Sequence, residues 1–251
     1  MKKEPLLRAE GLSRKDGGAT ELASVSFSVE AGRLTAVIGP DRWDKDALMA
    51  VLTGRQRPTH GTLRLAGRPI TGLAPRERPR RGLVWTTRPP VAFATGTLVE
   101  AVVLAMAAVR RARPGDVFRR HPSAPSAADA VELLQLVGLG ARSGATPDTL
   151  DGLERARLEL ARMLAPTPKV VIVDRLGLDL PPPARRPLAM LLRHLVQSGV
   201  TLLWLEEDAT LALEFADHVV ALQHGRTLVP GVVGTPSSEA ALEAAFMGQP
   251  R

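Results

Sequence analysis

The sequence predicts an α/β fold in which a parallel sheet is interrupted by a helical insertion of about residues 88–150. Three observations carry this. Leu34–Ile38, Val170–Val173 and Val200–Leu205 are short apolar runs, each too brief for a helix and each suited to a strand buried on both faces. Ala23–Val29 alternates apolar and polar residues with period two, the mark of a half-buried strand. The stretch after about residue 88 loses both patterns and takes up helical periodicity until the α/β rhythm returns near residue 170.

Taken in order, Leu6–Ser13 and Glu21–Glu30 read as strands joined by a turn over Lys15–Thr20 that carries Gly17 and Gly18. The run Leu34–Ile38 ends at Gly39 and Pro40, and a helix from about Lys45 to Leu52 follows, stopped by Gly54 with Pro58 beyond it. Gly61–Ile70 reads as a hairpin around Ala66 and Gly67. Thr97–Arg110 and Ser126–Val137 are helical, and the Arg- and Pro-rich Arg111–Pro125 connects them loosely. Leu153–Leu164 is amphipathic, with Leu153, Ala156, Leu160, Ala161 and Leu164 on one face. The strand Val170–Val173 ends in Asp174. Helix Leu188–Val196, strand Val200–Leu205, helix Thr210–Ala216, strand His218–Leu222 and a terminal helix Ser238–Phe246 complete the chain.

The 251 residues are 45% apolar, enough for one sizeable core or two small lobes sharing it. There is no cysteine, which excludes disulfide scaffolds, thiol catalysis and Cys-based zinc sites. The longest helical apolar stretch, Leu98–Val109, contains Glu100 and falls short of the about 20 residues a membrane span needs. The opening residues Met1–Pro5 lead into a strand and lack a signal-type apolar region, so a cytoplasmic protein is expected. The formal charge is +7, almost all from arginine; asparagine and tyrosine are absent, as a GC-rich genome would produce. Aromatics make up 3% and no basic run is interleaved with them, which argues against nucleic acid and leaves an anionic membrane surface as the better partner for the charge.

The order of several stretches carries a family resemblance. Leu22–Pro40 looks like a pair of opening strands, Arg157–Ala165 like a helix following a signature sequence, Lys169–Asp174 like a Walker B strand, and Ala216–Leu222 with Phe246–Gly248 like closing segments. Over about Leu6–Gly248 the chain resembles the ATP-binding subunit of ABC transporters, most closely the branched-chain amino-acid branch. The resemblance implies a P-loop NTPase-like ABC ATP-binding domain, one unit over 1–251, with an antiparallel N-terminal β-subdomain and the helical insertion. It also implies ATP with magnesium as cofactors, a second ABC subunit as heterodimer partner, membrane permease subunits, and a peripheral place on the inner face of the cell membrane.

The family's catalytic motifs are replaced. A phosphate loop reads G-x-x-x-x-G-K-[ST], with glycines admitting backbone N–H groups to the phosphates, a lysine neutralising them and a hydroxyl on magnesium. Here it is Gly39, Pro40, Asp41, Arg42, Trp43, Asp44, Lys45, Asp46, Ala47: the lysine remains, while the second glycine and the hydroxyl are aspartates. A carboxylate about 4 Å from a phosphate is repelled by about 4 kcal/mol at an effective dielectric of 20. Asp16 stands where the adenine-stacking aromatic is expected, and Arg88 where the Q-loop glutamine is. The signature L-S-G-G-Q aligns with Leu150, Asp151, Gly152, Leu153 and Glu154. Asp174 matches the magnesium-facing Walker B carboxylate, but the catalytic glutamate has become Arg175 and the switch histidine Glu207.

Core periodicity survives while nearly every nucleotide-facing position changes, so ATP should bind weakly or not at all and turnover should be impaired. The expected role is a structural or regulatory half of a transporter, held to a permease through the helical insertion and the Arg88 loop. The alternatives are a weak ATPase subunit energising transport of an amino-acid-like solute in a heterodimer, and a soluble scaffold apart from transport. Arg42, Lys45, Arg88 and Arg175 balance Asp44, Asp46, Asp174 and Glu207 in charge. This predicts an internal network with an Arg175–Glu207 pair where a phosphate would lie and Lys45 turned to Asp174 or a loop aspartate. Other chemistry has little support. No two of the five histidines make an i, i+4 metal pair, no G-x-S-x-G occurs, and the acidic Glu206–Asp208 reads as an altered switch loop in place of a metal site. No metal centre is expected.

Overall fold

A computed structural model describes residues 4–16, 19–39, 42–86, 96–110 and 126–232. Of Asp16, Arg42 and Trp43 only the backbone is described. Pro40, Asp41, Arg88, the Gly17–Gly18 turn, the 111–125 connection and the expected terminal helix lie outside the described residues. Along the chain run β1 (Leu7–Asp16), β2 (Ala19–Val29), β3 (Leu34–Ile38), α1 (Arg42–Thr53), β4 (His60–Leu65), β5 (Arg68–Pro69) and α2 (Arg78–Arg81). Then come β6 (Leu83–Trp85), α3 (Leu98–Arg110), α4 (Ala127–Leu136), α5 (Gly152–Leu164) and β7 (Val170–Asp174). The remainder is α6 (Pro182–Gln197), β8 (Leu202–Glu206), α7 (Ala209–Phe215), β9 (His218–Gln223) and β10 (Arg226–Val232).

The three apolar runs lie in one sheet, as expected. Its order is β10-β9-β3-β8-β7-β6, parallel throughout except for the edge hairpin of β9 and β10. Both faces of this sheet are covered, which is why its strands carry almost no polar residues. In β3, Leu34, Ala36 and Ile38 enter one core while Val37 enters the other. In β7 and β8, Val171, Val173, Leu202 and Trp204 join the first core, and Val170, Ile172, Leu203 and Leu205 the second. The first core is roofed by helices, through Leu98, Leu134, Leu160 and Leu192. The second is closed by α1 and by an antiparallel sheet of order β2-β1-β4-β5, through Leu48, Leu52, Val25 and Leu63. The period-two stretch lies in β2, with Val25, Phe27 and Val29 turned inward.

Several boundaries differ from expectation. Helix α1 starts at Arg42, ahead of Lys45. Helix α6 starts at Pro182, well ahead of Leu188, because prolines in a first turn lack only N–H groups that would have had no partner there. Strands β6 and β10 and helix α2 have no counterpart among the elements expected from the sequence. Pro230 sits in β10 at the sheet edge, where a missing donor breaks no inner ladder.

One buried cation holds α1 in place from behind. Arg78 is fully buried, and its guanidinium donates to the carbonyls of Val51 (2.7 Å) and Leu52 at the end of α1, and to Leu73 (3.3 Å) and Thr71 (3.4 Å). These take up carbonyls that a helix end leaves without intrahelical donors. Gly54 follows with φ +79, and a Cβ there would meet Arg78 Nε at 2.6 Å, so the close approach needs glycine. Burial pulls the Arg78 pKa down to about 10, which leaves it charged at neutral pH. Arg78→Ala should cost about 2–4 kcal/mol in urea unfolding, because buried acceptors lose a charged donor. The exposed Arg80→Ala should stay within about 0.5 kcal/mol.

Candidate functional site

Three elements end at one place. Strand β3 delivers Gly39, the first turn of α1 delivers Asp44, Lys45 and Asp46, and β7 ends in Asp174 followed by Arg175. At Gly39 an added Cβ would lie 2.1 Å from the Leu222 carbonyl oxygen, so only glycine fits. The Arg175 backbone extends the ladder by donating to the Leu205 carbonyl at 2.9 Å, but its φ of +45 swings the side chain out of strand register. The Asp174 N–H is held by Thr86 Oγ1 at 2.9 Å.

The Arg175 guanidinium is 4% exposed and touches three carboxylates. Its Nε donates to Asp174 Oδ1 at 2.9 Å and its Nη2 lies 3.5 Å from Asp174 Oδ2. The same Nη2 donates to Asp46 Oδ1, joining β7 to α1. Glu207 Oε1 stands 3.8 Å from Nη1, inside ion-pair range but without a hydrogen bond. The Arg175–Glu207 contact is therefore a third arm and not the principal pair, because Glu207 lies beyond the end of β8 and is 37% exposed. Burial pulls the Arg175 pKa down, yet the bonds and charges of Asp174 and Asp46 outweigh it and hold the group above its usual value.

The expected Arg175–Glu207 pair is thus present, but Lys45 departs from the expected network. Its ammonium turns back to the Gly39 carbonyl, 2.5 Å away, and not to Asp174 or a loop aspartate. Asp174 and Asp46 are already engaged by Arg175, and a backbone carbonyl is the acceptor within reach. Lys45 is 1% exposed; burial pushes its pKa down, with Glu207 the strongest opposing charge. Asp44 is buried beside it and Ala47 packs into the second core. Glu206 spends its carboxylate on the N–H groups of Glu207 (2.7 Å) and Asp208 (3.0 Å), while Asp208 caps α7 through the Leu211 N–H at 3.1 Å. Glu206 and Asp208 are thus committed to backbone while Glu207 faces Arg175, and among the described residues no group of three or more His, Cys, Asp or Glu is arranged to hold a metal ion. Asp44, Asp46, Asp174, Glu206 and Glu207 gather around Lys45 and Arg175, while the side chains of Arg42 and Arg88, which enter the expected neutral balance, lie outside the described residues.

The 150–154 segment builds a helix start. Leu150 is buried, and Asp151 accepts the Glu154 N–H at 2.7 Å while Glu154 Oε2 accepts the Asp151 N–H at 3.1 Å, a reciprocal cap on α5. Gly152 opens the helix and Leu153 packs against the first core. Arg142 donates to Glu154 at 3.0 Å and to the Thr149 carbonyl at 3.2 Å. Arg142 and Thr86 are not legible in the sequence, since nothing local marks either.

Residues 22–175 match the family described as ABC transporter. The chain belongs to the ABC transporter family. An Fe(3+) ions import ATP-binding protein, FbpC 1 of Rhodococcus jostii, is 32% identical over 92% of this chain and 62% of its own length. The sulfate/thiosulfate import ATP-binding protein CysA of Vibrio vulnificus is 33% identical over 92% of this chain and 64% of its own. This ABC chain therefore spans less than two thirds of these relatives. A nucleotide-free ATP-binding cassette from an ABC transporter superposes with a TM-score of 0.80 at 22% identity, covering 96% of both chains. The ADP conformation of MJ1267, an ATP-binding cassette of an ABC transporter, gives 0.80 at 21% identity, covering 98% of this chain and 100% of that one. The fold is that of an ABC cassette. The relatives carry iron and sulfate names, which corrects the branched-chain amino-acid assignment, and family membership leaves the detached scaffold without support.

The charges of the ABC site lend themselves to two measurements. Burial raises the Glu206 pKa, so the native state favours its protonated form, and the resulting cost appears as pH rises above the ordinary carboxylate value of 4.5. Glu206→Gln should therefore raise the urea denaturation midpoint at pH 7 and leave it unchanged below about pH 4, where the carboxyl is protonated in folded and unfolded chains alike. In double-mutant cycles, Arg175→Asn with Asp46→Asn should couple by about 1–2 kcal/mol and with Glu207→Gln by less than about 0.5.

Proposed function

We propose that the chain is a non-catalytic ABC subunit, a structural or regulatory half of an importer that docks on a membrane permease. The observation that carries this is the Arg175 guanidinium set between Asp174 and Asp46. ATP with magnesium would require a hydroxyl at 46, an open glycine at 44 and a lysine turned to phosphate. The chain offers carboxylates at both positions, and Lys45 is bound to Gly39. The residues present do not fit that cofactor, and carboxylates at 44 and 46 repel a polyphosphate.

The contribution to a partner's site is changed in the same sense. A signature helix offers free N–H groups to a phosphate across the dimer, as helix starts do. In α5 the Asp151 carboxylate already caps that start. On this reading the chain pairs with a second ABC subunit at the inner face of the membrane, forms one domain over 1–251, and meets the permease through the 88–150 insertion and the Arg88 loop. The import names of its relatives support an importer in preference to an exporter.

A second reading, weak ATP turnover energising solute transport in a heterodimer, is favoured by the retention of Lys45 and Asp174. Calorimetric titration of the full chain with Mg-ATP separates the two. No saturable heat should appear up to about 1 mM, a binding free energy weaker than about 4 kcal/mol. A dissociation constant in the low micromolar range overturns the non-catalytic reading in favour of the second.

A further inference from the structure

The disagreement between this site and magnesium has a specific shape. In P-loop enzymes the metal is held between the hydroxyl after the loop lysine and the Walker B aspartate. Those two positions are Asp46 and Asp174, and they are the two residues to which Arg175 is hydrogen-bonded. We propose that Arg175 is a resident cation in the place of magnesium, a fixed substitute that ties α1 to the end of β7 with neither metal nor nucleotide bound. This rests on the non-catalytic reading, since a chain that cycled magnesium could not keep the place filled.

Three features support the assignment over a chance surface pair. The guanidinium is 4% exposed, so it occupies the interior of the site and not its rim. It engages carboxylates from two elements distant in sequence, with a third, Glu207, at 3.8 Å. The backbone at Arg175 adopts φ +45, a conformation that side chains other than Asn, Asp and Gly rarely take, and this turn is what aims the side chain at the metal positions. Magnesium-type ions need only one or two protein carboxylates and keep several waters, so emptying the place leaves enough ligands for one.

The same backbone angle supplies a clean test. Arg175→Gly removes the cation at a φ glycine adopts freely, and Arg175→Asn does so with a second residue tolerant of it. The full-length variants and the wild type are titrated with Mn2+ without nucleotide, with free Mn2+ followed by electron paramagnetic resonance. Either variant should take up one Mn2+ per chain about tenfold or more tighter than wild type, and adding Asp174→Asn should abolish the gain. Millimolar Mg2+ should raise the melting temperature of the variants and not that of the wild type. The proposal is overturned if folded variants bind Mn2+ no more tightly than wild type, or if neither variant folds with or without the metal. Because no nucleotide is present, tight Mg-ATP binding by the wild type would defeat the non-catalytic reading separately, and a gain of Mn2+ in the variants would still be seen.

Discussion

A buried guanidinium sets the terms for everything around it. Arg175 cannot remain charged at 4% exposure unless carboxylates replace the water it has lost, and Asp174 and Asp46 do so. Desolvation offsets most of the attraction in such clusters, so the main effect is on which arrangement the chain adopts and less on net stability. The first turn of α1 is drawn to the end of β7. Lys45, deprived of both carboxylates, closes on the Gly39 carbonyl. From the other end of α1, Arg78 binds the last carbonyls, so a cation grips the helix at each terminus.

Several acidic residues around the site are bonded to the chain's own backbone. Asp151 and Glu154 cap α5 reciprocally, Asp208 caps α7, and Glu206 takes two backbone N–H groups. The physics is the one that binds phosphate: a helix start presents N–H groups and the positive end of its dipole. A carboxylate from the chain itself now meets that demand. Loss by neglect would erode core positions, whereas the two cores still alternate residue by residue across β3, β7 and β8.

This division explains what was legible in the sequence. Strands buried on both faces read as unbroken apolar runs, and β2 reads by alternation, so the sheet and its parallel sense were plain. Strand β6 spans only Leu83–Trp85, β10 contains Pro230, and α2 is an arginine-rich turn of helix; each lacks a periodic signal. In the site the list of charges and the Arg175–Glu207 contact were legible, but the closer partners of Arg175 were not. Asp46 and Arg175 are distant in sequence, and their meeting depends on the left-handed turn at 175, which arginine does not announce. The branch of the family was misread because the quoted stretches report the shared core, while relatives named for iron and sulfate import align over nearly the whole chain.

A ligand moves a protein between two shapes only by binding one of them better than the other. In a working cassette the metal and nucleotide supply that difference at the junction of loop, helix and sheet. Here, on the reading proposed, the junction is closed by groups covalently part of the chain, present at fixed stoichiometry and not released by hydrolysis. Nothing that comes and goes then distinguishes an open from a closed arrangement at this junction. The surface such a subunit offers to a permease is constant through the cycle, and any motion of the assembly must come from its other half. A fixed half of this kind needs an intact core and a pinned α1 far more than it needs a phosphate site, and that is the pattern of what this chain has kept and what it has changed.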